Sequence, residues 1–250
     1  MTCPAAEAVQ SRGPESTQHG PLKVLDFDPG LADGLDPEQF TAARHRVLAA
    51  SALLKPTSQD FDWVRGRDRD DRSLLIVGGL MVRRLTIDGR CCSEIVGPGD
   101  VVRPWDGEVV SALPVPASVR WRIIEPTRVV LIDERFLATA SAWPAVLGEL
   151  LRRAVRRSQS LAVHLTLCSK PRVDERLLLL FWHLADRWGT VTPTGVRVEL
   201  PLTHELLAEL VGALRPTVTT ALVGLSGRGL VLRDGADVWR LPHGLASRAA

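Results

Sequence analysis

The stretch that decides the fold lies near the carboxyl end: LTHELLAELVGALRPTVTTALVGLSGRGLV, residues 202–231. Thr203 is placed to cap a short helix whose apolar face is Leu206, Leu207 and Leu210. Gly212 then supplies the left-handed turn that joins two helices. Arg215-Pro216 opens the second helix with proline in its first turn, and Val218, Ala221, Leu222 and Leu225 form its inward stripe. Gly227 or Gly229 ends it.

Downstream, Leu230-Val231-Leu232-Arg233 and Val238-Trp239-Arg240-Leu241 flank Asp234-Gly235, which predicts a hairpin with a two-residue turn or a slightly longer loop. Helix, tight turn, helix and hairpin make a winged helix-turn-helix. A compact second helix of this kind enters the major groove of DNA, which is about 12 Å wide. Its outward face here is Arg215, Thr217, Thr219 and Thr220, with Arg228 at the far end and no acid between positions 210 and 233. An arginine reads guanine O6 and N7 with two hydrogen bonds, and threonines reach phosphates or a thymine methyl. Residues 203–241 nevertheless hold four arginines and four acids, so the unit is nominally neutral. Winged helices also serve as protein-contact modules, and that reading stays open.

Upstream, Asp174 is placed to cap a helix over Glu175–Trp188 that Gly189 ends, Thr190–Gly195 reads as a turn-rich connector, and Val196–Leu200 reads as a strand. From Trp143 to Cys168 the pattern is helical. Leu147, Leu151, Ala154, Ser158, Leu161, Leu165 and Cys168 follow spacings of 4, 3, 4, 3, 4 and 3, an a/d seam of three heptads. Arg152, Arg153, Arg156 and Arg157 lie largely off it. Such a seam fits a parallel homodimer or, alternatively, a helix packed on its own β-domain; Lys170-Pro171 breaks the helix.

Residues 73–133 have a different grain. Short apolar runs (Leu74–Val77, Leu80–Val82, Val101–Val102, Val109–Val110, Val129–Ile132) alternate with Gly78-Gly79, Asp88-Gly89, Gly97-Pro98-Gly99-Asp100 and Asp106-Gly107, the signature of an antiparallel sandwich or barrel. Asp88-Gly89 after Leu85-Thr86-Ile87 is a hairpin signal. Arg65–Arg72 alternates charge signs and reads as a solvated loop, and Asp36-Pro37-Glu38-Gln39 is a capping box for a helix running to about Ser51. The first residues, rich in Ala, Gly, Pro, Ser, Thr and Gln, predict a disordered tail over 1–30.

The 250 residues carry 45% hydrophobic and 24% charged side chains, enough for a core without staples. No apolar run of about 18 residues predicts a membrane span, and the N-terminus has no secretory signal core, so the expected location is cytoplasmic. Cys3, Cys91, Cys92 and Cys168 have no CxxC spacing, which points away from disulfides and zinc. Net charge is +2, with 14 Lys/Arg against 9 Asp/Glu in residues 143–250 and 17 against 20 in residues 1–142, so the basic half leans towards an anionic partner. No GxSxG, P-loop or HExxH occurs, and Glu94, Asp100 and Asp106 show no paired-carboxylate pattern; no enzyme is expected.

Residues 31–241 resemble the Crp/Fnr family of bacterial transcription regulators. In 202–231 the resemblance rests on the capping Thr203, the turn Gly212, Arg215 followed by Thr217-Val218, and the exit to the wing at Gly229-Leu230-Val231; LLIVGGLMV (74–82) and IVGPGDVV (95–102) stand where the family has β-roll strands and a Gly-Asp turn. The resemblance implies an α+β protein: a cyclic-nucleotide-binding-like antiparallel β-roll over 31–142, a dimerisation helix over 143–169 and a winged helix-turn-helix over 170–245. Double-stranded DNA, a second copy of the chain and RNA polymerase are the partners it implies. It places Thr203, His204 and Thr217 on phosphates and Arg215 on a base; the family's next two readers are replaced by Pro216 and Thr220, so its usual operator is not expected.

The sensory half departs further from the family. Nucleotide-binding relatives follow the Gly-Asp turn with a Gly-Glu pair, where this chain has Val101-Val102-Arg103-Pro104; Gly107-Glu108 would be a displaced version. Ala117-Ser118 stands where an Arg-Ser pair would hold the cyclic phosphate, and Arg120 or Arg122 substitutes only with a register shift. A buried phosphate without a cation is costly, so no cofactor and no cyclic AMP in the usual mode are expected. With only Cys3 before Cys91, the iron–sulfur cluster of some relatives is not expected either. Cys91-Cys92 should lie in a strand facing opposite ways, and His164 with Cys168 should be solvent and seam residues respectively, not metal ligands. A haem role for His45, His164 or His183 has no support, and Trp105 and Trp121 line an apolar cavity or the ordinary core. The rival functions are a protein-interaction module, or a ligand-binding β-roll protein with a vestigial winged helix.

Overall fold

The computed structural model describes residues 17–56, 72–103 and 114–242. The chain divides into two compact units, residues 1–158 and 159–250, so the division falls inside the long helix.

The first unit is a roll of two antiparallel sheets. One has five strands in the order β1 (Thr17–Lys23), β2 (Leu48–Leu54), β8 (Thr127–Ile132), β3 (Ser73–Gly78), β6 (Val101–Val102); the other has three, β5 (Arg90–Val96), β4 (Met81–Ile87), β7 (Ala117–Ile123). Strand alternation sorts the core. Leu74 and Ile76 of β3, with Val129 and Leu131 of β8, face a cluster shared with Met81, Val96 and Ile123 of the smaller sheet. Leu75, Val130 and Ile132 point the other way, into a second cluster with Val24, Phe136, Val146 and Leu150 of the helices and Trp143 just before the long one. Because β3 and β8 are covered on both faces, they read as continuous apolar runs.

Local chemistry sets the turns. Asp88 (φ 47°) and Gly89 (φ 71°) form the two-residue hairpin loop between paired Ile87 and Arg90. Gly79 has φ 80°, and a Cβ there would lie 2.3 Å from the Pro126 carbonyl oxygen, so only glycine fits. The buried Asp100 carboxylate accepts from Gly97 N at 2.9 Å and closes the Gly-Asp turn.

Two expectations need correction in this unit. The expected tail over 1–30 is structured from Thr17: β1 pairs with β2, and Val24, Leu25, Leu31 and Ala32 lie in the core. The capping box on Asp36 and Gln39 forms, but helix α2 (Pro37–Arg46) stops well before Ser51. The residues that follow, LAASALL, form β2, an interior strand of the larger sheet between β1 and β8, where burial outweighs helix propensity. The charged strand β7, ASVRWRI, carries only an alternating pattern and was not among the apolar runs. The expectations for Trp105, Asp106-Gly107, Glu108, Val109-Val110, residues 65–71 and Cys3 lie outside the described residues.

Cys91 and Cys92 do alternate in β5: Cys91 sits 3.5 Å from Thr86 Oγ1, while Cys92 is on the open side. Loss of water on the side where it meets its strand neighbours, and behind that Glu94, pushes the Cys92 thiol up.

Helix α3 (Glu134–Ala140), capped by Asp133, precedes α4 (Pro144–Cys168), 25 residues long. One face of α4 binds its own roll: Val146 and Leu150 are buried, Arg153 pairs with Asp28 and Glu149, and Arg157 shares Glu94 with Arg83. The opposite face is open, with Leu151 67% and Leu165 65% exposed and Ala154 and Ser158 also exposed. The packing of this helix on its own β-domain is therefore seen, and it takes in Leu147 from the heptad seam; Leu161 and Cys168 are half-buried as well. Among the described residues no single helix is long and apolar enough to cross a membrane.

The second unit holds the end of α4, α5 (Val173–Trp188), α6 (His204–Val211), α7 (Arg215–Gly227) and a four-stranded sheet ordered β11 (Leu232–Arg233), β12 (Val238–Leu241), β10 (Gly195–Glu199), β9 (Gly189–Thr192). Helix α5 begins at Val173, so Asp174 lies in its first turn and does not cap it. The expected connector over 190–195 contains β9, paired with β10 from Gly189 to Thr192. His164 was expected in solvent; it is buried, and its Nε2 hydrogen donates to the Leu210 carbonyl at 3.0 Å. The half-buried Cys168 thiol lies 3.4 Å from the same carbonyl. His183 lies edge-on to His164 and 3.0 Å from Ser160 Oγ.

Candidate nucleic-acid interface

Helices α6 and α7 are joined by Gly212 in the left-handed region (φ 62°, ψ 47°), and the chain direction turns by 100° between them. A helix-turn-helix crosses at about 90–120°. Thr203 caps α6, its hydroxyl accepting from Leu206 N at 3.1 Å. The far end is closed by Arg176 of α5, whose Nη1 donates to the Val211 carbonyl at 3.1 Å and to the Gly212 carbonyl at 3.4 Å. These are carbonyls a helix end otherwise leaves to water. Val218, Leu222 and Leu225 seat α7 on the core and Ala221 is half-buried, so the opposite face of α7 points outward.

On that face Arg215, Thr217 and Thr220 are exposed, as the sequence predicts. Arg215, at the first position of α7, has no carboxylate partner among the described residues. The Thr220 hydroxyl donates to the Pro216 carbonyl at 3.2 Å but stays open to solvent. Two residues differ from expectation. Thr219 is half-buried: its hydroxyl donates to the Arg215 carbonyl at 3.1 Å, so the His204 Nδ1–H, 2.9 Å away, must donate to Thr219 Oγ1. This makes Thr219 a support for His204 and not a surface contact. Burial, then Arg233 and Arg215, holds the His204 pKa below its usual 6.5 and keeps the ring neutral. Arg228 is exposed but held: its Nη2 donates to Asp174 Oδ2 at 2.9 Å.

Asp174 also takes Arg172 Nε and Nη2 at 3.1 and 3.0 Å. Arg172, and behind it Arg228, holds the Asp174 carboxyl below the usual carboxylate range. The three residues edge a shallow groove of about 890 Å3 along α7, with Pro216, Thr217, Thr220 and Gly224 on its floor. Arg172 and Asp174 were missed as site residues, because a pairing across 54 positions leaves no periodic or motif signal in a sequence.

The wing is the β11–β12 ribbon. Leu232 pairs with Arg240 and Arg233 with Trp239, and Asp234 N donates to the Val238 carbonyl at 2.9 Å, so the loop is the longer of the two alternatives. Arg233 lies over the Trp239 ring, 5.1 Å from its centroid.

A family model described as a Crp-like helix-turn-helix domain matches residues 175–245. The chain is 32% identical over 222 residues to the CRP-like cAMP-activated global transcriptional regulator of Mycobacterium tuberculosis, covering 84% of this chain and 91% of that protein. It is 26% identical over 215 residues to the regulatory protein CysR of Synechococcus elongatus, covering 82% and 88%. In fold it resembles a cyclic nucleotide-binding domain containing protein from Listeria monocytogenes, with a TM-score of 0.63 at 15% identity over 88% of this chain and 97% of that one. Sheet roll, long helix and Crp-like helix-turn-helix thus coincide in one chain, and it belongs to the Crp/Fnr family of transcription regulators, which are not enzymes.

Proposed function

We propose that this protein is a homodimeric, sequence-specific DNA-binding regulator whose recognition helices are the two copies of Arg215–Gly227, and that it does not respond to cyclic AMP in the usual mode. The observation that carries the DNA reading is the exposed, unpaired Arg215 leading a helix turned 100° from its capped neighbour, with Thr217 and Thr220 on the same face. Thr203 and His204, at the start of α6, are the phosphate contacts beside it. With Pro216 and Thr220 in place of two polar readers, Arg215 carries the larger share of base discrimination, about 1–3 kcal/mol for a good bidentate pair.

Dimerisation is supported by the open seam face of α4, where Leu151 and Leu165 each leave most of their surface in water while Val146 and Leu150 on the other side are buried. Two-fold symmetry would set the recognition helices about 34 Å apart, in successive major grooves of an inverted repeat. The departure from cyclic AMP is supported by Val101-Val102 forming strand β6 directly after Asp100, and by Ala117 and Ser118 opening β7 where a phosphate-binding arginine is needed. An effector of another kind would act by favouring one arrangement of the dimer over another.

In a gel-shift assay on DNA recovered from the native chromosome, Arg215→Ala should abolish the specific complex while leaving the protein's mass in solution unchanged. A parent protein that binds no DNA even at low salt would defeat the reading and favour a protein-interaction role. Micromolar or tighter binding of cyclic AMP by calorimetry would defeat its second half.

A further inference from the structure

The DNA face carries an acid that its own chemistry does not call for. Asp174 reaches the edge of the groove along α7 and binds Arg172 from its own turn and Arg228 from the end of α7, at 3.0 and 2.9 Å on the same carboxylate oxygen. Its side chain is 17% exposed, against 66% and 51% for the two arginines, so the acid is the seated partner and the cations reach out into solvent. The groove these three edge is the one floored by Thr217 and Thr220 of the recognition helix.

We infer that Asp174 is a specificity-determining residue: it neutralises Arg172 and Arg228 beside the recognition helix, so that duplex phosphates must compete with a built-in carboxylate for both guanidinium groups. This rests on the DNA-binding reading above and deepens it. Two guanidiniums free in solution would grip any phosphate backbone, because that attraction ignores sequence. Held on a carboxylate, they yield to phosphate only when the rest of the helix is seated on bases that hold the complex in register. An acid carried at the DNA face also repels phosphate in loose, unregistered encounters. The effect falls on non-specific binding first, which is where a regulator gains discrimination.

The test is Asp174→Asn, which keeps an oxygen acceptor and removes the charge; Arg172 keeps Glu175 Oε1 at 3.7 Å, so Arg228 is the cation fully released. Binding to a mixed-sequence duplex, followed by fluorescence anisotropy over a salt series, should tighten by about eightfold at 0.1 M salt for each arginine that reaches a phosphate, with the log–log salt slope steeper by about 0.9 per contact. The preference for a duplex enriched from a random pool by the parent protein should shrink by a similar factor. Arg228→Gln should change the slope less in the parent than in the Asp174→Asn background. An Asp174→Asn variant with unchanged slope and affinity for mixed-sequence DNA overturns the inference while leaving the DNA reading intact. Weaker binding in that variant also overturns it, because that marks Asp174 as a structural clip for α7. If the parent itself binds no duplex, the inference and the reading beneath it fall together.

Discussion

Leu151→Ala separates the two faces of the long helix. In the single chain 67% of Leu151 remains in water, whereas its neighbour Leu150 is 9% exposed. Burying a leucine completely is worth about 1.5–3 kcal/mol. With two-thirds of that surface still to be covered, the seam gains about 1–2 kcal/mol from each copy, and two-fold symmetry counts it twice. Allowing for the methyl that alanine keeps, the substitution should weaken the dimer by about 2–3 kcal/mol, or roughly 30–150-fold in dissociation constant at 1.4 kcal/mol per decade. The protomer itself should lose little, about 0.5 kcal/mol or less, because the truncated side chain packs on almost nothing of its own chain. Leu150→Ala should do the reverse, costing about 2–5 kcal/mol of protomer stability through lost packing and a cavity. Sedimentation equilibrium over a dilution series reads the dissociation constant, and urea unfolding under monomeric conditions reads the protomer. A Leu151→Ala protein with an unchanged dissociation constant, or a parent that is monomeric at every concentration, refutes the seam.

Gly79→Ala should lower the unfolding free energy measured in urea by at least about 2–3 kcal/mol, since φ is 80° and the new Cβ meets the Pro126 carbonyl at 2.3 Å, whereas Gly78→Ala, with nothing within 4 Å, should cost under about 1 kcal/mol. His183 is held below its usual 6.5 by burial, then by His164 and Arg187. Its neutral ring therefore contributes stability that is complete above pH 6.5 and declines as the pH falls towards the depressed native value, because the unfolded chain takes up the proton first. The melting temperature should drop over that window, and less steeply in His183→Gln. For His204 the sign on DNA binding is opposite: a phosphate beside the ring restores the proton that Arg233, Arg215 and burial discourage, so affinity should rise as the pH is lowered from 8 to 6 and that rise should vanish in His204→Gln.

Elements held by local chemistry were legible in the sequence. The Asp36 capping box, the Asp88-Gly89 hairpin, the left-handed Gly212 and the Thr203 cap each depend on residues within about four positions of one another, and each formed as the sequence predicts. The long helix was also visible, because a helix repeats its faces at a fixed spacing. Where a segment's fate was set by what lies across from it, the sequence was silent or misleading. LAASALL has good helix propensity yet is a strand, because β1 and β8 pair with it on both edges. Residues 17–30 look like tail until the core that receives Val24 and Leu25 exists.

The same division runs through the DNA face. Arg215, Thr217 and Thr220 could be placed outward from the helical period alone, since Val218, Leu222 and Leu225 fix which side is in. That Thr219 turns to His204, that Arg228 is held by Asp174 and that His164 lies buried against Leu210 are facts of tertiary structure. They join residues 15, 54 and 46 positions apart, and no periodicity connects groups that meet only after helices have packed. The sequence by itself determined which side of Arg215–Gly227 would point outward; only the packed unit decided which of its polar groups are free there, because a hydrogen-bonding side chain spends its capacity on whatever neighbour the fold brings within 3 Å.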